Sequence, residues 1–165
     1  MVRLFEKRDA GRASEIMKSA FRSFLKEKYS DNGYFDPEEL IKHAAAENRF
    51  TDNALFVAEE DGKLVGVVKV SAGKSGLGAF EWVGVDPECH ARGVGAALMA
   101  KAEEFWRGRR QRKISTCVSS HNKKAILYYL KHDFIPEGYR SDHFIEGVDE
   151  IILGRFLRPE GGAAK

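Results

Sequence analysis

The run Val83-Gly84-Val85-Asp86-Pro87-Glu88-Cys89-His90-Ala91-Arg92-Gly93-Val94-Gly95-Ala96-Ala97-Leu98 constrains the fold of this chain more than any other segment. An apolar strand leads into a short polar turn, two glycines follow with one residue between them, and a helix begins. At such a junction successive backbone N–H groups point outward, and the helix dipole adds partial positive charge. The result is an anion site suited to a pyrophosphate. Glycines at both positions let a phosphate approach the backbone, because a Cβ there would collide with it. Two other phosphate loops fit poorly. A Walker loop ends in Gly-Lys-Ser/Thr, whereas Gly95 is followed by Ala96-Ala97, and a dinucleotide fingerprint needs a third glycine where this chain has Leu98.

A second motif lies downstream, in Asn122-Lys123-Lys124-Ala125-Ile126-Leu127-Tyr128-Tyr129-Leu130-Lys131-His132-Asp133-Phe134, preceded by the strand-like Ile114-Ser115-Thr116-Cys117-Val118-Ser119-Ser120. Together the two motifs resemble the landmarks of the GNAT-type N-acetyltransferase superfamily. The first resembles its acyl-coenzyme A loop, Gln/Arg-x-x-Gly-x-Gly/Ala. Gly93 and Gly95 match, His90 stands where Gln or Arg is usual, and Pro87 is family-like. The second resembles Asn-x-x-Ala-x-x-x-Tyr-x-x-x-Gly-Phe. Asn122, Ala125, Tyr129 and Phe134 match, while Asp133 replaces the glycine and predicts a less ideally capped helix end. The resemblance covers residues 54 to 157 well and the N-terminal third loosely.

The pattern along the chain gives the order β-α-α-β-β-β-α-β-α-β-β, an α/β (mixed α+β) arrangement. Residues 2 to 6 read as a strand. Asp9 is a candidate N-cap for a helix to about Lys28, with Ala13, Ile16, Met17, Ala20, Phe21, Phe24 and Leu25 on one face. Asp36-Pro37 starts another helix. Strands at 54 to 59 and 63 to 71 join through Asp61-Gly62, a hairpin signal. Gly73 to Gly78 reads as a flexible loop, and 80 to 85 as the strand entering the phosphate loop. The helix from Gly93 to about Arg107 buries Val94, Leu98, Ala102, Phe105 and Trp106, and a hairpin with Gly147 at its turn closes the chain. The resemblance implies a GNAT-like central sheet of about six to seven strands with its middle strands splayed. Residues 1–158 read as one domain, and 159–165 as a flexible C-terminal tail.

The resemblance also implies the site. Acetyl-CoA would be the co-substrate, its pantetheine arm lying in the gap between the splayed strands. Backbone groups of Val83 and Val85 would hold pantetheine, with the Val85 N–H polarising the thioester carbonyl. The loop from His90 through Ala91, Arg92, Gly93, Val94 and Gly95 to Ala96 would hold the pyrophosphate, and Asn122 would touch the cofactor near pantetheine. An amine would attack the thioester directly, and it must be neutral to do so. On reference values roughly one lysine in a few thousand is neutral at pH 7, against roughly one α-amine in ten. Glu81, on the strand feeding the loop, is the candidate base, a salt-bridged strand glutamate being its structural alternative. Tyr129 is the candidate acid for the departing thiolate, with Tyr128 as its neighbour. Transfer from a tyrosine to a thiolate is uphill by roughly 2 kcal/mol on reference values, which favours hydrogen-bond donation over full transfer. Residues 142 to 150 would border the acceptor pocket, and Tyr29, Tyr34 and Phe35 could line its other wall.

Composition excludes several classes. A net charge of +2 over 165 residues is too small to imply nucleic-acid or membrane binding. The basic run 107 to 113 sits at a helix C-terminus, where cations suit the dipole. An RNA-binding module using that run, or a non-catalytic acyl-CoA sensor, is the alternative from a different class. Five histidines show no metal-ligand spacing, so no metal is expected. Cys89 and Cys117 form no C-x-x-C pair, and the N-terminus has no apolar signal run. A reduced, cytoplasmic protein is expected. The acceptor amine, small molecule or protein, is not specified, and a homodimer is a family-level expectation.

Overall fold

The computed structural model describes residues 1–22, 33–46, 49–90 and 92–157. Strand β1 (Val2–Leu4) leads through a 3-10 turn at Lys7–Asp9 into α1 (Ala10–Arg22), and α2 (Pro37–Ala45) follows. Strands β2 (Thr51–Glu60), β3 (Lys63–Gly73) and β4 (Leu77–Val85) form a meander. A second 3-10 turn, Pro87–Cys89, opens the loop before α3 (Val94–Gly108). Strand β5 (Lys113–Ser119), α4 (Lys123–Lys131), β6 (Ile135–Ile145) and β7 (Val148–Phe156) complete the described chain. The seven strands form one sheet in the order β1-β2-β3-β4-β5-β7-β6, antiparallel throughout except for β4 against β5. This is the expected mixed sheet and element order.

Both faces are covered at the centre of the sheet, which is why β3 is buried from Leu64 to Ala72, whereas β6 at the edge is exposed. One core holds Phe80, Leu98, Trp106, Tyr129 and Phe134 under α3 and α4. The other holds Ile16, Met17, Phe35, Leu40 and Trp82 under α1 and α2. Trp106 is fully buried and keeps its indole N–H satisfied by donating to Ser71 O at 2.9 Å. Gly66 lets α3 come down onto β3: a Cβ there would lie 2.8 Å from Val94 Cγ1.

Phe80 and Trp82 point to opposite faces although strand alternation would put both on one. The register explains it: Lys69 pairs with Trp82 and Val70 with Phe80, so Glu81 is the extra residue of a β-bulge. Beyond it β4 bends away from β5. The parallel pairing of those strands spans only Leu77–Lys113, Gly78–Ile114 and Ala79–Ser115, after which the sheet is parted.

Three expectations change. Asp9 does not cap a helix starting after it. The chain is already turning at Lys7, and Asp9 accepts from the Glu6 N–H while its buried carboxylate binds Arg3 through two hydrogen bonds of 2.7 and 2.9 Å. The loop read between Gly73 and Gly78 is a tight connection, because β3 runs to Gly73 and β4 begins at Leu77. Asp133 ends α4 well rather than poorly. It takes the left-handed conformation (φ 62°), and Phe134 N–H returns to Tyr129 O at 3.1 Å, a Schellman closure. The expected extension of α1 to Lys28, with Phe24 and Leu25, lies outside the described residues, as do Tyr29, Ala91 and the tail 159–165.

Candidate active site

Where the sheet parts, a cavity of about 430 Å³ opens. Its walls include Ala79 and Val83 on β4, Thr116 and Ser119 on β5, and Asn122 and Tyr129 at α4. It is also lined by Tyr34, Phe35, Glu81 and Trp82, and by Phe144 and Glu150 of the closing hairpin.

Ladder geometry sets the polarity of the β4 edge. Asp86 N–H donates to Val65 O at 2.8 Å. Antiparallel alternation then bonds Gly84 to Val67 and Trp82 to Lys69, leaving the N–H and C=O groups of Val83 and Val85 facing the gap. His90 joins this edge: its Nε2–H donates to Val85 O at 3.2 Å, so the ring serves the strand end in the free protein.

The loop then turns into α3. Gly93 is left-handed (φ 84°), a conformation that favours glycine, and a Cβ there would touch nothing. Ala97 N–H is the first to close onto the helix, to Gly93 O at 3.0 Å, so the amides of Val94, Gly95 and Ala96 precede the ladder at the positive end of a 15-residue helix. Gly95 also meets a packing constraint that the motif does not show. A Cβ would sit 3.1 Å from the Tyr128 ring, whose hydroxyl donates to Gly95 O at 2.7 Å. The second glycine thus seats α4 against the phosphate loop. Arg92 pairs with Glu60 at 3.0 Å.

Asn122 is the N-cap of α4, its Oδ1 accepting from Ala125 N–H at 3.1 Å, which leaves the side-chain amide to donate into the cavity. This cap, with the closure at Asp133, fixes the helix that carries both tyrosines. Tyr129 is 3% exposed and lines the cavity; its ring meets Phe80 and Phe134, each at 5.3 Å. Burial pushes its phenol well above the usual tyrosine range, against a smaller opposing effect from the Thr116 hydroxyl. Tyr128 faces α3 instead, its phenol also raised by burial.

Glu81 lines the cavity and forms an ion pair with Lys69 at 3.1 Å. Lys69 is 8% exposed, and its Nζ lies 3.5 Å from His43 Nδ1. Desolvation, and then the charge of Lys69, hold His43 below the usual histidine range. The bulge, Lys69, His43 and Cys117 escaped the sequence reading, whereas Glu150 belongs to the segment 142 to 150 expected at the acceptor pocket, which lines the cavity. For Lys69 the signal was present, a lone lysine inside the apolar run from Leu64 to Val70. Cys117 lies at the cavity wall, its thiol pushed up by burial and then by Glu150.

The basic run is largely neutralised within the fold. Arg107 binds Glu103 at 2.6 Å, Arg109 binds Asp52 at 3.0 Å and stacks 3.9 Å from the Phe105 ring, and Lys113 binds Glu137 at 2.7 Å. Among the described residues no group of three or more His, Cys, Asp or Glu could hold a metal ion. Nor, among them, is any helix long and apolar enough to cross a membrane.

An open helix N-terminus beside a sheet parted at its centre is the arrangement of an acyl-CoA-handling fold. The model of the Acetyltransferase (GNAT) family matches residues 14–134, and the chain belongs to that family. An uncharacterized N-acetyltransferase of Methanocaldococcus jannaschii is 33% identical over 89 residues, covering 50% of this chain and 39% of that protein. The chain spans about a third to just over half the length of the curated relatives it matches. Ard1 from Thermoplasma volcanium is similar in structure with a TM-score of 0.78 at 18% identity, covering 96% of this chain and 98% of that one. The PaiA N-acetyltransferase of Thermoplasma acidophilum, solved with coenzyme A, gives 0.77 at 16% identity, covering 95% and 98%. At these identities the two likenesses are of fold.

Proposed function

We propose that this chain moves an acetyl group from acetyl-CoA to a primary amine by direct attack. The observation that carries the reading is the continuity of the site. Val83, Asn122 and Tyr129 line one cavity, and the β4 edge that carries Val83 runs on through Val85 into the loop that ends at the free amides of α3. The pyrophosphate would bind the amides of Val94, Gly95 and Ala96. Pantetheine would complete the sheet along β4 and meet Asn122, and the Val85 N–H would polarise the thioester carbonyl.

Glu81 stands at the acceptor end as the base, held there by Lys69. Full proton transfer from Tyr129 to the thiolate is disfavoured on reference values by roughly 2 kcal/mol, and burial adds to this. Tyr129 therefore acts as a hydrogen-bond donor to the sulfur as charge develops on it. Two free thiols, Cys89 and Cys117, suit the cytoplasm as the place of action.

Release of free coenzyme A tests the reading. Acetyl-CoA with a panel of primary amines should give thiol release that depends on the amine. Tight acetyl-CoA binding with no amine-dependent release from any panel member would instead support a sensor.

A further inference from the structure

We infer that Arg12 of α1 is a positioning residue for coenzyme binding: through Asp86 it holds the entry of the phosphate loop in the conformation that presents the Val85 edge and leads to the α3 amides. The inference rests on the acetyl-transfer reading. Asp86 stands where β4 leaves the ladder, and it is 8% exposed although it carries a carboxylate. Its N–H donates to Val65 O at 2.8 Å, and the same peptide carries the Val85 C=O that faces the gap. Asp86 then builds the turn that follows. Its Oδ1 accepts from Glu88 N–H at 3.0 Å, and its backbone carbonyl accepts from Cys89 N–H at 2.8 Å. Its other carboxylate oxygen is bound by Arg12.

Arg12 reaches that carboxylate from a helix seated against the same strand. α1 lies so close to β4 that a Cβ on Gly84 would come within 2.7 Å of Met17 Sδ and 3.3 Å of Ile16 Cγ2. The guanidinium also donates to Leu64 O at 3.4 Å and pairs with Glu15 at 2.8 Å, so one side chain joins α1, the start of β3 and the end of β4. A buried carboxylate stripped of its cation is strongly unfavourable. The relief open to Asp86 is to rotate toward water, which releases Glu88 N–H and loosens the turn. Coenzyme would then have to reorder the loop as it binds, and that ordering subtracts from affinity. Once bound, its own contacts hold the loop, so the chemical step is unaffected.

The test measures acetyl-CoA affinity by calorimetry, kcat and KM by thiol release with an accepted primary amine, and the melting temperature of each variant. Arg12→Met should weaken acetyl-CoA binding about 5- to 30-fold, the range of one coupled contact. It should leave kcat at saturating acetyl-CoA within about threefold and KM for the amine unchanged. Asp86→Asn removes the charge but keeps an oxygen that can accept from Glu88 N–H, so it provides a background that folds without the cation. In that background Arg12→Met should change acetyl-CoA affinity by less than about twofold. Lys113→Met breaks a comparably half-buried pair with Glu137 at the opposite end of the sheet. It should lower the melting temperature and leave acetyl-CoA affinity unchanged. Unchanged affinity in Arg12→Met would overturn the inference while leaving acetyl transfer standing. So would an equal loss in both Asp86 backgrounds, or an equal loss in Lys113→Met. A parent protein that binds no acetyl-CoA in the same calorimetry would show that the transfer reading had failed, and the inference with it.

Discussion

Replacing Tyr129 with Phe isolates one atom of the proposed chemistry. The ring sits against Phe80, Phe134 and Tyr128 at 5.2 to 5.3 Å, and phenylalanine keeps all three contacts. What is lost is the hydroxyl and its weak interaction with the Thr116 hydroxyl beside it. A neutral hydrogen bond contributes about 0.5–1.5 kcal/mol to stability, so the variant should remain folded. Toward a departing thiolate the same hydroxyl is a donor to a charged acceptor, worth about 1.5–3 kcal/mol. At 1.36 kcal/mol per decade, kcat should fall about 10- to 150-fold, with acetyl-CoA affinity unchanged. Stopped-flow detection of the free thiol measures kcat, and calorimetry measures the affinity. A kcat within twofold of the parent, with chemistry shown to limit the rate, would refute the donor role. Tyr128 would not be a ready replacement, since its hydroxyl already serves Gly95 O.

Glu81→Gln should lose activity mainly near neutral pH, the deficit shrinking as pH approaches the acceptor's own pKa; parallel pH–rate profiles would return Glu81 to its ion pair with Lys69 as a purely structural group. Gly95→Val should lower thermal stability by about 1–3 kcal/mol as well as coenzyme A affinity, because its side chain displaces Tyr128; weakened binding at an unchanged melting temperature would contradict that packing role. The folded-state phenols of Tyr128 and Tyr129 lie above their unfolded value near 10, so their stabilisation is complete below about pH 10 and is lost as pH rises further. Asp9 is held below the usual carboxylate range, chiefly by Arg3. Its contribution is present above the unfolded value near 3.9 and is lost as pH falls, so Asp9→Asn should flatten the acid limb of a stability–pH curve measured by denaturant titration.

Local signals carried most of the fold. Asp61-Gly62 turns the β2–β3 hairpin with both residues at positive φ, and the apolar spacing of α3 predicted the face that Leu98, Ala102 and Trp106 bury. The phosphate loop and α4 were legible for the same reason, since each is one continuous segment. What was not legible depends on pairing. The bulge at Glu81 exists only in the ladder with β3, yet it sends Phe80 and Trp82 to different cores and helps part the sheet. The close packing at Gly95 is set by Tyr128, 33 residues away. Lys69 and His43 become part of the site through β3 and α2, elements with no recognisable motif.

Direct attack is the central claim, and Cys117 at the cavity wall supplies its competitor. Intact-protein mass spectrometry after mixing the enzyme with a stoichiometric amount of isotope-labelled acetyl-CoA separates the two. The account predicts that, without amine, the protein carries no acetyl group, and that on adding a primary amine accepted in the thiol-release assay the label passes to the amine within one turnover. A labelled acetyl group found on Cys117, formed before the amine is added and consumed when it arrives, would contradict it.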